Sequence, residues 1–128
     1  MTDRSRYFSP SELRCRHTGY CEMDPDFLTE LDLLRSRFGA PLRLSSAYRH
    51  PTHPVEAKKP VPGLHAQGKA VDVAIAGSGA HKLVGLAISL GWTGIGVQQV
   101  GPMESRFIHL DRRDGPPSIW SYPARTTS

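Results

Sequence analysis

The amino-acid sequence predicts a small single domain of the α+β class, with a mainly antiparallel sheet flanked by helices. Two observations predict this class. Helical hydrophobic spacing comes early in the chain and alternating strand patterns come mostly late, with one helix inserted between strands. The length of 128 residues suits one compact core and leaves no room for two. We expect the domain to cover residues 1–123 and the tail Ala124–Ser128 to be frayed.

Two helices are predicted before the first strand. The first begins with Ser9 as its N-cap, Pro10 at its first position and Glu12 closing a capping box, and it is short because a loop follows. The second is capped by Asp24 and ends at Gly39. Its apolar residues fall at helical spacing and are expected to face the core: Phe27, Leu31, Leu34 and Phe38.

Strand patterns dominate the rest of the chain. The first predicted strand, Leu42–Tyr48, is followed by an irregular loop from residue 50 to residue 63 that contains four prolines. We interpret His50 and His53 in this loop as solvated rather than as lining a cleft. The elements predicted after the loop are the strand Ala70–Ile75, the helix Ser78–Leu90, and the strands Ile95–Val100 and Arg106–Asp111.

Composition and charge exclude several classes of protein. The longest apolar stretch, Leu83–Trp92, is interrupted by glycine and serine, so no run of roughly 20 apolar residues is available to cross a membrane. The net charge of +4 comes from scattered residues, whereas nucleic-acid binding usually concentrates charge on one face. The first residues lack the apolar run of a secretory signal, which predicts synthesis and retention in a cytoplasm. Cys15 and Cys21 are either two thiols or one bridge.

The segment from His65 to Asp72 carries the first candidate site residues. Asp72 shares a strand face with the small residues Ala70 and Ala74, where apolar side chains are usual. A buried carboxylate needs a cationic partner or a metal, because burial without one costs several kcal/mol. His65 lies just upstream, and Gly68 allows the chain to turn so that the imidazole and the carboxylate converge.

The strand Arg106–Asp111 carries the second candidate pair. With a period of two, His109 and Asp111 share one face while the apolar residues Ile108 and Leu110 occupy the other. Two histidines and one aspartate form a reasonable catalytic zinc set, with the fourth position left for water. The alternative is that each histidine is merely hydrogen-bonded and that each aspartate pairs with one of the many arginines.

Together with Ser46-Ala47-Tyr48-Arg49, these segments resemble the M15 family of zinc peptidases. This family comprises D-Ala-D-Ala carboxypeptidases and related peptidoglycan endopeptidases, phage lysins among them. Its members carry Ser-x-Tyr-Arg at a strand end, then His-x-x-Gly-x-Ala-x-Asp, then a later strand with a metal-binding histidine. Here these motifs are Ser46–Arg49, His65–Asp72 and His109, and the resemblance spans roughly residues 8–122.

The resemblance implies a fold of the hedgehog and DD-peptidase type and a role for each matched residue. One zinc ion would be bound by His65, Asp72 and His109, and the substrate would be bound by Arg49 with Ser46 and Gln67. The sequence departs from the family at Arg106, where several relatives have the carboxylate that accepts a proton from water. The candidates that remain for this catalytic role are Glu104 and Asp111, with Asp111 alternatively holding a ligand or the substrate.

The resemblance also implies the function. We expect a zinc-dependent peptidase that cuts an amide bond of peptidoglycan, as a carboxypeptidase or an endopeptidase, and that acts on the cell wall after release by phage lysis. The alternative is a peptidoglycan-binding module of the same fold without hydrolysis. A nucleic-acid-binding domain rests on the mild positive charge alone, and we expect a monomer that neither binds nucleic acid nor inserts into a membrane.

Overall fold

The computed structural model describes residues 5–57 and 63–122. The predicted tail Ala124–Ser128 lies outside the described residues. The described chain forms four α-helices, one turn of 3-10 helix and five strands. In chain order these are α1 (Pro10–Leu13), α2 (Pro25–Phe38), β1 (Leu44–Ser46), α3 (Pro54–Ala57), β2 (Ala70–Ala74), α4 (Gly77–Ser89), β3 (Gly94–Gln98), the 3-10 turn (Met103–Ser105), β4 (Phe107–Asp111) and β5 (Ser118–Ser121).

The predicted caps of α1 and α2 are confirmed, whereas α4 begins and ends one residue earlier than predicted. The Ser9 hydroxyl accepts a hydrogen bond from the Glu12 backbone N–H at 3.3 Å, and the Glu12 carboxylate accepts one from the Ser9 N–H at 3.1 Å. At the start of α2, the Asp24 carboxylate accepts from the Phe27 N–H at 2.9 Å, and Gly39 ends the helix with a φ of 80°. Capping of this kind satisfies backbone groups that have no partner inside the helix.

The strands form one mixed sheet in the order β1-β2-β4-β3-β5. Three pairings are antiparallel, as predicted, and only the pairing of β3 with β5 is parallel. The prediction missed β5 because this four-residue edge strand has no clear alternation and leaves Ile119 exposed. It also missed the single turn α3 inside the proline-rich loop, and it made β1 longer than the three residues that pair.

The two faces of the sheet carry different residues. Val71 and Val73 of β2 and Ile108 and Leu110 of β4 are buried in the hydrophobic core, and each contributes about 2 kcal/mol through burial. The helices α2 and α4 supply the other side of this core with Leu28, Leu31, Leu34, Leu83 and Ala87. The alternate residues of the same strands project from the opposite face. That face carries the candidate site.

None of the helices in the described residues is both long enough and apolar enough to cross a membrane.

The turn before β2 depends on Gly68. This residue has a φ of +72°, and a Cβ atom there would collide with the backbone of residues 22–24. The close approach is held by a hydrogen bond of 3.0 Å from the Asp24 N–H to the Gly68 carbonyl. The start of α2 therefore fixes the turn that presents His65.

We expect Gly68→Ala to lower the free energy of unfolding by about 2–5 kcal/mol, because it combines an unfavourable φ with overpacking against backbone. Gly39→Ala is the matched control, since Gly39 also has a positive φ but open space around it. It should cost only about 1–2 kcal/mol. Urea unfolding of both variants checks this, and equal losses would show that the contact with residues 22–24 is unimportant.

Candidate metal centre

The candidate site lies along one row that crosses the sheet. Asp72 of β2 pairs with His109 of β4, which pairs with Gly96 of β3, which pairs with Trp120 of β5. Side chains directly opposite one another in neighbouring strands project from the same face about 5 Å apart. The alternation of each strand therefore brings Asp72 and His109 together. His65 joins them from the turn that precedes β2.

The three predicted ligands converge on one point. The Oδ1 atom of Asp72 lies 3.3 Å from Nε2 of His65 and 3.0 Å from Nδ1 of His109. One donor atom from each of the three residues lies within 4.8 Å of the others, and all three residues are buried, with 5–7% of their surface exposed. Ligand atoms bound at roughly 2.0–2.2 Å to a tetrahedral zinc lie about 3.3–3.6 Å apart. The two distances from Asp72, 3.3 and 3.0 Å, are close to those around such an ion.

The backbone of β1 fixes the orientation of His65. Its Nδ1 atom lies 2.7 Å from the carbonyl oxygen of Ala47. A carbonyl oxygen only accepts hydrogen bonds, so Nδ1 carries the proton and donates it. In the neutral imidazole, Nε2 then presents its lone pair to the centre, as a metal ligand requires.

His109 lies between two carboxylates. Its Nε2 is 2.7 Å from Oδ2 of Asp111, and its Nδ1 is 3.0 Å from Oδ1 of Asp72. A neutral imidazole donates from only one nitrogen. When Nε2–H donates to Asp111, the lone pair of Nδ1 faces a carboxylate oxygen, and that contact becomes favourable when Nδ1 carries a second proton or when a metal ion is bound by both atoms. The donor set therefore fits a metal ion on an observation of its own.

The pKa values of His109 and Asp72 are shifted by the contacts between these residues. Burial lowers the pKa of His109, but the carboxylates of Asp111 and Asp72 outweigh burial and raise it. Burial raises the pKa of Asp72, but hydrogen bonds from His109 and His65 hold it below its usual range. Both carboxylates are thus ionised at neutral pH, and the charge that attracts a proton also attracts a metal cation.

Asp111 is fully engaged by its neighbours. Its Oδ2 accepts from His109 and, at 2.7 Å, from Nη2 of Arg113, while its Oδ1 accepts from Nε of Arg113 at 2.9 Å. Burial raises the pKa of Asp111, but Arg113 and His109 lower it well below its usual range. The carboxylate also occupies the space that a Cβ of Gly94 would fill. This arrangement lets Asp111 orient His109, as carboxylates commonly orient metal-binding histidines.

Comparison with known proteins gives one result that bears on this geometry. A family model described as Peptidase M15 matches residues 6–111. The chain belongs to the M15 peptidase family. A search of curated proteins found no match.

Membership in the M15 family confirms the resemblance and makes this protein a metallopeptidase by family. The buried group of His65, Asp72 and His109 is compatible with the metal dependence of M15 peptidases. The matched region includes the three predicted ligands and the Arg49 segment, and it ends at Asp111.

Among the predicted substrate residues of this M15 peptidase, Arg49 contacts the predicted ligand Asp72. Nη2 of Arg49 lies 3.4 Å from Oδ2 of Asp72, and its Nε donates to the Ser46 hydroxyl at 3.2 Å. Gln67 is exposed in the turn that carries His65. Glu104 is exposed in the 3-10 turn, and no described residue forms a hydrogen bond or an ion pair with it.

Sequence reasoning missed two features of this M15 site. Arg113, which fixes Asp111, follows it by two residues and could have been inferred from that spacing. The second feature is the aromatic pair Trp120 and Tyr122, which was noted only as part of the resemblance. The Trp120 ring lies 5.4 Å from the His109 ring, and Trp120 Nε1 and the Tyr122 hydroxyl lie 2.6 and 2.8 Å from where a Cβ of Gly96 would be. Gly94 and Gly96 of β3 could have indicated these contacts, because a glycine inside a strand often marks a position that another group approaches closely.

We expect His65→Ala to abolish metal binding, because it removes one of only three protein donors. Elemental analysis after dialysis should find about one zinc per wild-type chain and almost none in the variant. His81→Ala is the control, since His81 is an exposed histidine on α4. A His65→Ala protein that retains a full equivalent of zinc would show that the ion binds elsewhere.

We expect Asp111→Asn to weaken metal binding by about 10- to 100-fold, because the amide no longer holds His109 as a charged carboxylate does. Competition with a chromogenic chelator measures the affinity. Asp114→Asn is the control, since Asp114 is an exposed aspartate nearby. An unchanged affinity in a folded Asp111→Asn protein would mean that Asp111 does not orient the ligand.

Proposed function

We propose that this M15 peptidase is a zinc enzyme that hydrolyses an amide bond in the stem peptides or cross-links of peptidoglycan. The observation that carries the proposal is the buried His65, Asp72 and His109 set, in which both histidines are oriented through their second nitrogen. Three protein donors and one remaining position are typical of catalytic zinc, whereas structural zinc usually has four protein donors.

The donor set favours zinc among the metals available to proteins. Two imidazole nitrogens and one carboxylate oxygen suit this ion, and the distances of 3.3 and 3.0 Å from Asp72 to the two histidines are close to those in a tetrahedral site. When bound, zinc polarises a carbonyl group and lowers the pKa of a coordinated water towards about 7. The residues of the chain then have three tasks, which are to orient the ligands, to hold the substrate and to accept a proton.

Arg49 is the residue that we assign to the substrate. Its guanidinium is partly exposed, with 19% of the side chain accessible, and it borders the ligand Asp72. Its Nε is anchored by Ser46, which limits the rotation of the side chain. The planar fork of donors suits a carboxylate or a carbonyl oxygen of a peptide.

Glu104 is the residue that we assign to proton transfer. The Asp111 carboxylate accepts hydrogen bonds from His109 and Arg113, which suits a role in orienting His109. Glu104 is ionisable, exposed and borne by the loop that leads into β4. Hydrogen bonds of a catalytic base often form only when substrate is bound.

A second candidate function follows from the same observation. The described metal group contains no carboxylate besides the ligand Asp72, which also suits a module that binds peptidoglycan without cutting it.

Our proposal extends to the biological setting, in which the protein acts as a phage lysin on the cell wall after release at lysis. The mild positive charge supports attraction to an anionic wall.

The test is mass spectrometry of purified peptidoglycan incubated with zinc-loaded protein, with chelator-treated protein in parallel. We expect new amine-bearing fragments in the zinc-loaded sample only, and their masses will name the bond. Loss of a terminal D-Ala would identify a carboxypeptidase, and separated cross-links would identify an endopeptidase. Fragments that persist after complete removal of zinc would contradict the proposal.

Glu104→Gln separates the two candidate functions in the same assay. If Glu104 accepts the proton, the variant should keep its zinc and lose activity by about 10²- to 10⁴-fold. Glu12→Gln provides a control, since Glu12 caps α1. Zinc-loaded wild-type protein that binds peptidoglycan and releases no fragments would support the binding module instead.

A further inference from the structure

A positively charged cleft adjoins the metal centre. It has a volume of about 200 Å³ and is lined by residues of the α1–α2 loop, of β1 and its following segment, and of the proline-rich loop. Its charged and ionisable lining residues are Arg14, Arg16, Arg49 and His53. The interpretation of His53 as solvated is therefore incomplete, since it borders this cleft.

Arg14 and Arg16 bring positive charge to the cleft that no carboxylate of the described residues neutralises. Among the described residues, no carboxylate lines it and none pairs with Arg14 or Arg16. Arg16 donates one hydrogen bond, from Nη2 to the Leu44 carbonyl at 3.1 Å, which limits the rotation of its side chain. Guanidinium groups that face one small volume repel each other, and an anionic ligand would relieve that repulsion.

The cleft and the metal centre share a wall. Ser46 and Arg49 line the cleft, and Arg49 also lies beside the ligand Asp72. Ala47 lines the cleft as well, and its carbonyl orients the ligand His65. Arg49 therefore connects the cleft with the candidate metal centre, since it lines the first and contacts a predicted ligand of the second.

We propose that this cleft binds a second carboxylate of the substrate, on a residue next to the bond that is cut. The proposal rests on the proposed peptidase function and narrows its substrate to peptides with a free acid at that position. Arginine suits this task because its fork donates two parallel hydrogen bonds to a carboxylate. The small volume and the wall shared with the metal centre favour a peptide carboxylate over the phosphates of a wall polymer.

The test compares two synthetic stem peptides that differ only in that one carries a free acid beside the scissile bond and the other a carboxamide. Zinc-loaded wild-type protein should cut the free acid with a kcat/KM about 10- to 100-fold higher. Arg14→Ala combined with Arg16→Ala should remove most of this preference, chiefly by raising KM for the free acid. Arg37→Ala combined with Arg43→Ala removes the same charge from exposed positions outside the cleft and should retain the preference.

Direct binding separates failure of the cleft from failure of the peptidase function. Calorimetry measures the binding of the same peptides to the zinc-loaded Glu104→Gln variant, which is expected to keep its zinc and lose activity, so that the measurement does not depend on cleavage. If the protein binds the free acid more tightly but cuts neither peptide, the peptidase function is wrong and the cleft stands. If the double variant keeps the full preference for the free acid, the cleft assignment is wrong.

The remaining possible outcome is that the cleft binds the phosphates of a cell-wall polymer. Polyglycerol phosphate is added as a competitor in the binding experiment. Loss of its binding in the Arg14 and Arg16 double variant, with the preference between the two peptides unchanged, would assign the cleft to phosphate and overturn the peptide carboxylate.

Discussion

The position of His109 between two carboxylates is the interaction on which the site depends. Asp72 faces one nitrogen and Asp111 the other, so the ring cannot rotate without losing a buried hydrogen bond. Buried charges are tolerated only when each has a partner, and here the partners are supplied in sequence by Arg49 and Arg113 at the two ends. The result is a row of alternating charge in which His109 lies between two ionised carboxylates, each of which has an arginine partner.

Strand alternation made much of this predictable. The period of two in Ala70–Ala74 and Phe107–Asp111 assigns Val71, Ile108 and their neighbours to the core, and it places the site residues on the opposite face. The helix caps are local and were also predictable from Ser9 and Asp24. The convergence of the three predicted ligands was predictable from the motifs and their order along the chain.

The rest depends on pairings between distant segments, which a single sequence does not encode locally. The parallel pairing of β5 with β3 places Trp120 beside His109, and nothing in the four residues of β5 indicates a partner. The position of the Asp111 side chain depends on Gly94, which lies opposite it in β3 and leaves room for the carboxylate. Such contacts emerge only after the sheet has formed.

The segment from Ser46 to Arg49 contacts the metal ligands on one side and the basic cleft on the other. A short stretch of backbone would thus serve both the candidate metal centre and the proposed substrate cleft. Thermodynamic linkage then requires reciprocity. Any ligand that stiffens this segment and thereby tightens the hold on the metal is itself bound more tightly, by the same factor, when the metal is present. In that case the metal and the substrate would each raise the affinity of the protein for the other.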